Sequence, residues 1–221
     1  MNVFIDLFSG LGGASVAFDY DPHWVTIKID NKPELLEHNR SLIMQDIADV
    51  PSTIAIIEAV LDGYRERLNV HIDKIVIWAS PPCEQFSWAR ADRHQAQTID
   101  DFDMTLLNAA TQIIEHFSPD FWIIENVHGA IPIFAYPMDE GGLGCTPTQQ
   151  IGSVILWGFF PLIAIEHRDT WHHAKMEAKG SRILRPNYRA MIPLAISKGL
   201  LDALTKQRTL TFYGVDAGQD A

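Results

Sequence analysis

The chain has 221 residues, room for one α/β globular unit with a sizeable core but little for a second. Its 28 Asp and Glu against 17 Lys and Arg give a net charge of −11, which taken alone argues against nucleic acid, since neutralised phosphates supply most non-specific affinity. No apolar run approaches the roughly 18 residues that cross a bilayer, and the start shows no basic stretch followed by an apolar one, so a soluble, cytoplasmic protein without a membrane partner is expected.

In chain order, Asn2–Asp6 is a short apolar run ending in an acid, Leu7–Gly13 is turn-rich and Ala14–Tyr20 begins a helix. Trp24–Asp30 leading into Pro33–Arg40 repeats that pattern. Ile54–Arg67 carries Ile56, Ile57, Val60, Leu61 and Tyr64 on one face, the mark of an amphipathic helix. Lys74–Ala79 runs through a proline-rich loop to a long segment near Asp101–Phe117, and Asp120–Glu125 reads as another buried strand. This alternation predicts an α/β fold: a mostly parallel sheet with helices on both faces. After Asn126 the regularity weakens. Gly129–Thr148 carries Pro132, Pro137, Gly141, Gly142, Gly144 and Pro147 and is expected to be a long active-site loop. Gln149–Phe159 is expected as a helix, Leu162–Glu166 as a strand, Trp171–Arg189 as irregular and Ile192–Leu204 as the last helix. Without repeats or a low-complexity linker, residues 1–221 read as one domain.

Charge is distributed unevenly. Residues 1–167 hold 8 Lys and Arg against 23 Asp and Glu, whereas 168–208 hold 9 against 3. The basic stretch 168–208 is where a polyanion would bind, although a solvated face of mixed charge has the same composition.

In an open parallel sheet ligands sit beyond the carboxyl ends of the strands. Asp6-Leu7-Phe8-Ser9-Gly10-Leu11-Gly12-Gly13 is therefore placed to hold a nucleotide-like cofactor, as is Asp30 at the end of the second strand, where an acid can accept ribose hydroxyls. Asp46 can likewise meet an adenine amino group; tight turns and helix caps account for these residues equally well. More specific is Ser80-Pro81-Pro82-Cys83-Glu84-Gln85-Phe86-Ser87, where two prolines stiffen the approach to a thiol at the sheet's working edge. Cys83 and Cys145 are too few for a disulfide framework and lack zinc-site spacing, so a working thiol and no metal are expected. Ile124-Glu125-Asn126-Val127 brings a carboxyl group to the same edge.

Taken in this order, DLFSGLGG, SPPCEQFS and IENV resemble the cofactor, nucleophile and glutamate motifs of cytosine-5 DNA methyltransferases, over roughly residues 3–127. The resemblance implies a Rossmann-like methyltransferase sheet, S-adenosylmethionine as cofactor and DNA as partner. It implies that Phe8, Ser9, Gly10 and Gly12 line the cofactor, with Asp6, Gly13, Asp30, Asp46 and Pro81 adjoining it. Cys83 would attack carbon 6 of the base and Glu125 would hold its Watson–Crick edge, on a cytosine flipped out or already unpaired.

Several positions depart from that pattern. Glu84 stands where the family usually has glutamine, leaving Gln85 as a candidate substitute. The family's ribose-binding glutamate falls at Lys28 or Asp30, so Asp30 must serve if Lys28 occupies its place. Trp157-Gly158-Phe159-Phe160-Pro161 resembles the turn before the family's arginine-bearing strand, but Leu162–Glu166 lacks Gln-x-Arg-x-Arg, leaving Arg168, Arg182 or Arg185 as replacements. Trp171–Arg189 is too short for a target-recognition domain, as in short phage-encoded relatives that share a stretch like Trp171-His172-His173 and a closing Arg189–Pro193. Adjacent His172 and His173 without companion ligands do not predict a metal site. An RNA cytosine-5 methyltransferase would use the same thiol chemistry. An inactive nucleic-acid-binding relative is the second rival, and a nicotinamide dehydrogenase, the third, leaves the proline loop unexplained.

Overall fold

The apolar runs that alternate with turns become the strands of one sheet. The computed structural model describes residues 1–39, 41–67, 69–87, 98–165 and 184–213, with the side chains at 185, 186 and 207–213 outside the description. Its strands are β1 (Asn2–Leu7), β2 (Trp24–Asp30), β3 (Leu42–Met44), β4 (Lys74–Ala79), β5 (Phe121–Val127), β6 (Gln149–Ile151) and β7 (Val154–Phe159). They lie in the order β3-β2-β1-β4-β5-β7-β6. The first five are parallel, while β7 runs antiparallel to both β5 and β6. All of β1 is buried, as a parallel strand covered on both faces requires.

The described helices are α1 (Val16–Asp19), α2 (Val50–Asp62), α3 (Thr105–Phe117), α4 (Ile131–Phe134), α5 (Arg185–Ala190) and α6 (Leu194–Tyr213). Asp49 caps α2 by accepting the Ser52 amide, with Pro51 in the first turn. Alternate strand residues divide the core. Val3, Ile5, Leu7, Ile77 and Ile124 pack against Ile57 and Leu61 of α2 and Leu107 and Ile113 of α3. Phe4, Val76, Trp78 and Ile123 pack against Phe18 of α1 and Ile196, Leu200 and Leu204 of α6. The expected mostly parallel, Rossmann-like sheet with helices on both faces is present.

The second half departs from the sequence reading. Gln149–Phe159 is a hairpin rather than a helix: Gly152 takes a left-handed φ of 61° at the turn, and the apolar, partly β-branched run Val154–Trp157 pairs with β5. Leu162–Ile165 forms no strand. The Gln149 side-chain amide instead donates to the Ile163 carbonyl and accepts its amide, at 2.8 and 2.9 Å, replacing a strand neighbour. Trp157-Gly158-Phe159 is strand and not turn, and Gly158 is needed because a Cβ there would lie 2.1 Å from the Trp122 carbonyl oxygen.

Pro33–Arg40 condenses to a 3-10 turn at Pro33–Leu35, and Ala14–Tyr20 to the four residues of α1. Gly129–Thr148 is not structureless, since α4 and a 3-10 turn at Met138–Glu140 order it and bury Ile133 and Phe134. Of the region expected to be irregular, residues 171–183 lie outside the described residues and its end enters α5, while the last helix starts after Pro193 and continues to Tyr213. No helix among the described residues is long and apolar enough to cross a membrane.

Candidate active site

Two loops at the carboxyl edge of adjacent parallel strands frame the site. The first follows β1. Phe8, Gly10 and Gly12 adopt left-handed φ values of 60°, 53° and 77°, which fold the chain back sharply. Asp6, 1% exposed, points beneath this loop; it accepts the Ser9 hydroxyl at 3.1 Å and is bonded by Ser15. Burial pushes its carboxyl up to about 6, against those hydrogen bonds and the nearby Lys28 ammonium.

Asp30, at the end of β2, accepts the Gly10 amide at 2.9 Å and the Lys32 amide at 3.1 Å, one on each carboxylate oxygen. Lys28 is instead buried and paired with Asp19, so the acid that reaches the loop is Asp30. A Cβ on Gly10 would meet nothing within 4 Å, whereas one on Gly13 would lie 2.6 Å from the Ile192 carbonyl oxygen. The loop is thus open at Gly10 and closed at Gly13 by the far end of the chain. Ser197 of α6 adds to that closure by donating to the Ala14 carbonyl at 2.6 Å and accepting the Ala17 amide at 3.0 Å. Beside Gly12 the buried Asn39 Nδ2 has no hydrogen-bond partner. Asp46 is exposed just beyond β3, and its carboxylate accepts the Ala48 amide at 3.1 Å.

The second loop follows β4. Pro81 is buried and its carbonyl accepts Asn126 Nδ2 at 3.0 Å, tying the proline loop to β5. Cys83, half-buried, begins a short 3-10 turn whose Phe86 stacks on Phe102 and meets Phe134 edge-on at ring separations of 5.3 and 5.2 Å. Gln85 donates to the Asp103 carbonyl and accepts the Asp103 amide, at 2.7 and 2.8 Å. Its amide is therefore committed to the backbone rather than free as a substitute for the family's glutamine.

Because Ala79 pairs with Ile124, Glu125 emerges beside the start of the proline loop. Burial pushes its carboxyl up to about 7, opposed by a hydrogen bond from Ser80. The Cys83 thiol is pushed up to about 11, first by burial and then by the Glu125 and Glu84 carboxylates, while Lys32 draws it down. A thiol and a carboxyl, each holding its proton more tightly than usual, thus occupy one rim. Arg168 and Arg182 lie outside the described residues, as do His172 and His173, and only the backbone of Arg185 is described. Among the described residues no group of three or more His, Cys, Asp or Glu is arranged to hold a metal. Trp157 is fully buried against Phe134 and belongs to the core.

The sequence reading gave no role to Ser80, Asn126, Phe86, Ile192 or Ser197. Ser80, Asn126 and Phe86 lie inside the recognised motifs; Asn126 and Phe86 find partners on other segments, and Ser80 lies between Trp78 of its own strand and Glu125 of the next. Nothing local marks Ile192 or Ser197.

A glycine loop after β1 and a thiol and a carboxyl at the ends of β4 and β5 thus share one edge of an α/β sheet. Residues 3–132, more than half of the chain, match the family of C-5 cytosine-specific DNA methylases, and the chain belongs to that family. Among solved structures it is similar to the Entamoeba histolytica methyltransferase EhMeth, at 20% identity and a TM-score of 0.39, over 58% of this chain and 38% of that one. It is also similar to a protein described as a DNA modification methyltransferase encoded within a prophage (E. coli), at 22% identity and a TM-score of 0.37, over 59% of this chain and 33% of that one. The chain thus spans less than two fifths of the length of either. Comparison with curated proteins gives no match.

Proposed function

We propose that this chain transfers a methyl group from S-adenosylmethionine to carbon 5 of cytosine in DNA through a covalent Cys83 adduct, residues 1–221 acting as one domain. The observation that carries this reading is the shared rim of Cys83 and Glu125, locked together by the Asn126 bond to Pro81. The cofactor's fit rests on the open backbone at Gly10, the Asp30 carboxylate with lone pairs still free for a ribose diol, and the unpartnered Asn39 Nδ2 beside Gly12. Phe8, Ser9 and Gly12 shape that cradle, Asp6 and Gly13 brace it from beneath, and Asp46 and Pro81 stand at its edges. When bound, the cofactor supplies an electrophilic sulfonium methyl group.

The chain's own groups do the rest. Cys83 Sγ adds to carbon 6 of an unstacked cytosine while Glu125 delivers a proton to ring nitrogen N3, leaving carbon 5 rich in electrons. Because burial holds the thiol protonated and the carboxyl near neutrality, the step amounts to moving one proton from sulfur to N3 by way of Glu125. After methylation, loss of the carbon 5 proton to water expels the thiolate, and N3 returns its proton to the Glu125 carboxylate, which restores the neutral ring. The basic stretch 168–208 would contact phosphates, and Arg189, Lys198 and Lys206 are its exposed described cations.

Label from S-adenosylmethionine should appear in DNA as 5-methylcytosine. Label found in RNA and not in DNA overturns the choice of substrate, and a cofactor that binds while no nucleic acid is labelled overturns the activity.

A further inference from the structure

We infer that Ser80 is the positioning residue of Glu125: the Trp78 indole fixes the Ser80 hydroxyl as an acceptor and thereby turns its hydrogen onto the Glu125 carboxyl. The inference rests on the proposed role of Glu125 and concerns a residue to which neither the family match nor the motifs give a function.

Strand register brings the two together. Trp78 pairs with Ile123 and Ala79 with Ile124, so the next positions along β4 and β5 are Ser80 and Glu125, on the same sheet face as Trp78 and Ile123. Trp78 is 1% exposed, and its Nε1–H donates to Ser80 Oγ at 2.7 Å. An indole nitrogen is a donor only, and a serine hydroxyl has one hydrogen. With its oxygen occupied by Trp78, Ser80 directs that hydrogen to the Glu125 carboxylate, where it opposes the effect of burial.

Two hydrogen bonds, indole to hydroxyl and hydroxyl to carboxyl, thus select the orientation and the ionised form of Glu125, which must first take the thiol's proton. The titratable group that interacts with Glu125 is the Cys83 thiol, on which Glu84 and Lys32 act in turn; across β7 the residue opposite Glu125 is Leu156.

The test titrates the Glu125 carboxyl in the ligand-free full chain by carbon-13 NMR, with Glu125→Gln identifying the signal. The same proteins are then assayed for the pH dependence of adduct formation with a 5-fluorocytosine oligonucleotide. In Ser80→Ala the carboxyl midpoint should rise by about 0.5–1 pH, a three- to tenfold fall in the ratio of carboxylate to carboxyl, and the acid limb of adduct formation should move with it. Ser80→Thr keeps a hydroxyl and should restore both. Trp78→Phe, which frees the hydroxyl to rotate, should shift the midpoint the same way by less. An unchanged midpoint in folded Ser80→Ala overturns the inference. A shifted midpoint in a protein that forms no adduct at any pH would sustain the role of Ser80 and overturn the proposed reaction instead.

Discussion

The loops after β1 and β4 end on the same edge of one sheet, yet they are held by opposite means. The glycine loop needs left-handed backbone at three positions and is pinned by carboxylates, Asp6 from beneath and Asp30 on the Gly10 amide. The proline loop is stiff in itself and is pinned by neutral groups: the Asn126 amide on Pro81, the Gln85 amide on Asp103, and Phe86 among aromatic rings. Under the proposed function the first loop wraps a small cofactor, a task that tolerates charge-dependent fastening. A loop that must present a thiol next to a titrating carboxyl gains from fastening that stays the same while protons move.

The largest effect should come from the thiol on the proline loop. Cys83→Ser should eliminate the fluorocytosine adduct and lower methyl transfer by on the order of 10⁴-fold or more, while Cys145→Ser, exposed and far from the motifs, should leave both intact. Mass spectrometry of denatured complexes reads the result, and an adduct lost with Cys145→Ser alone would move the nucleophile off this loop.

Next come the carboxyls. Glu125 binds its proton more tightly when folded, about 7 against an ordinary 4.5, so between those values the folded chain keeps a proton that the unfolded chain has released. Stability therefore falls as pH rises through that window. At pH 8 Glu125→Gln should be more stable than wild type by about 1–2 kcal/mol, after discounting for its partial exposure, and inactive. Asp6 behaves in the same sense between about 4 and 6, and Asp6→Asn should flatten the decline of stability across that range by up to about 3 kcal/mol. Thermal melts from pH 4 to 8 check both; a melting temperature that rises through these windows would contradict the burial of the two groups.

The glycines separate the two walls of the first loop. A Cβ at position 13 meets the Ile192 backbone, whereas one at position 10 meets open space and bears only the left-handed φ. Gly13→Ala should cost about 2–3 kcal/mol of stability, Gly10→Ala about 1–2 kcal/mol, and Gly10→Ala should weaken cofactor binding more than its effect on stability explains. Calorimetry with S-adenosylmethionine measures that contrast. The smallest effect belongs to Gln85→Ala, which removes two bonds to the Asp103 backbone. It should lower the melting temperature by the equivalent of about 1–2 kcal/mol and slow adduct formation without abolishing it.

The part of this protein legible in sequence is the part fixed by local rules. Buried parallel strands demand continuous apolar runs, and strand ends followed by Gly or Pro clusters mark an edge, so β1, β2, β4, β5 and the motifs Asp6–Gly13, Ser80–Ser87 and Ile124–Val127 could be placed from residue order. The run Gln149–Phe159 could not: an apolar stretch of that length satisfies a helix or two strands, and pairing of Val154–Phe159 against β5 decided between them. Leu162–Ile165 looked like a strand, but the Gln149 side chain satisfies the Ile163 backbone from fourteen residues away. The chemistry divides in the same way. Sequence alone identified a thiol and a carboxyl at the ends of two strands. Only the tertiary structure decided that Asn126 holds Pro81, that Ser80 and Trp78 stand behind Glu125, and that Ile192 closes the glycine loop, because hydrogen bonds and steric contacts depend on distances in space that residue order does not set.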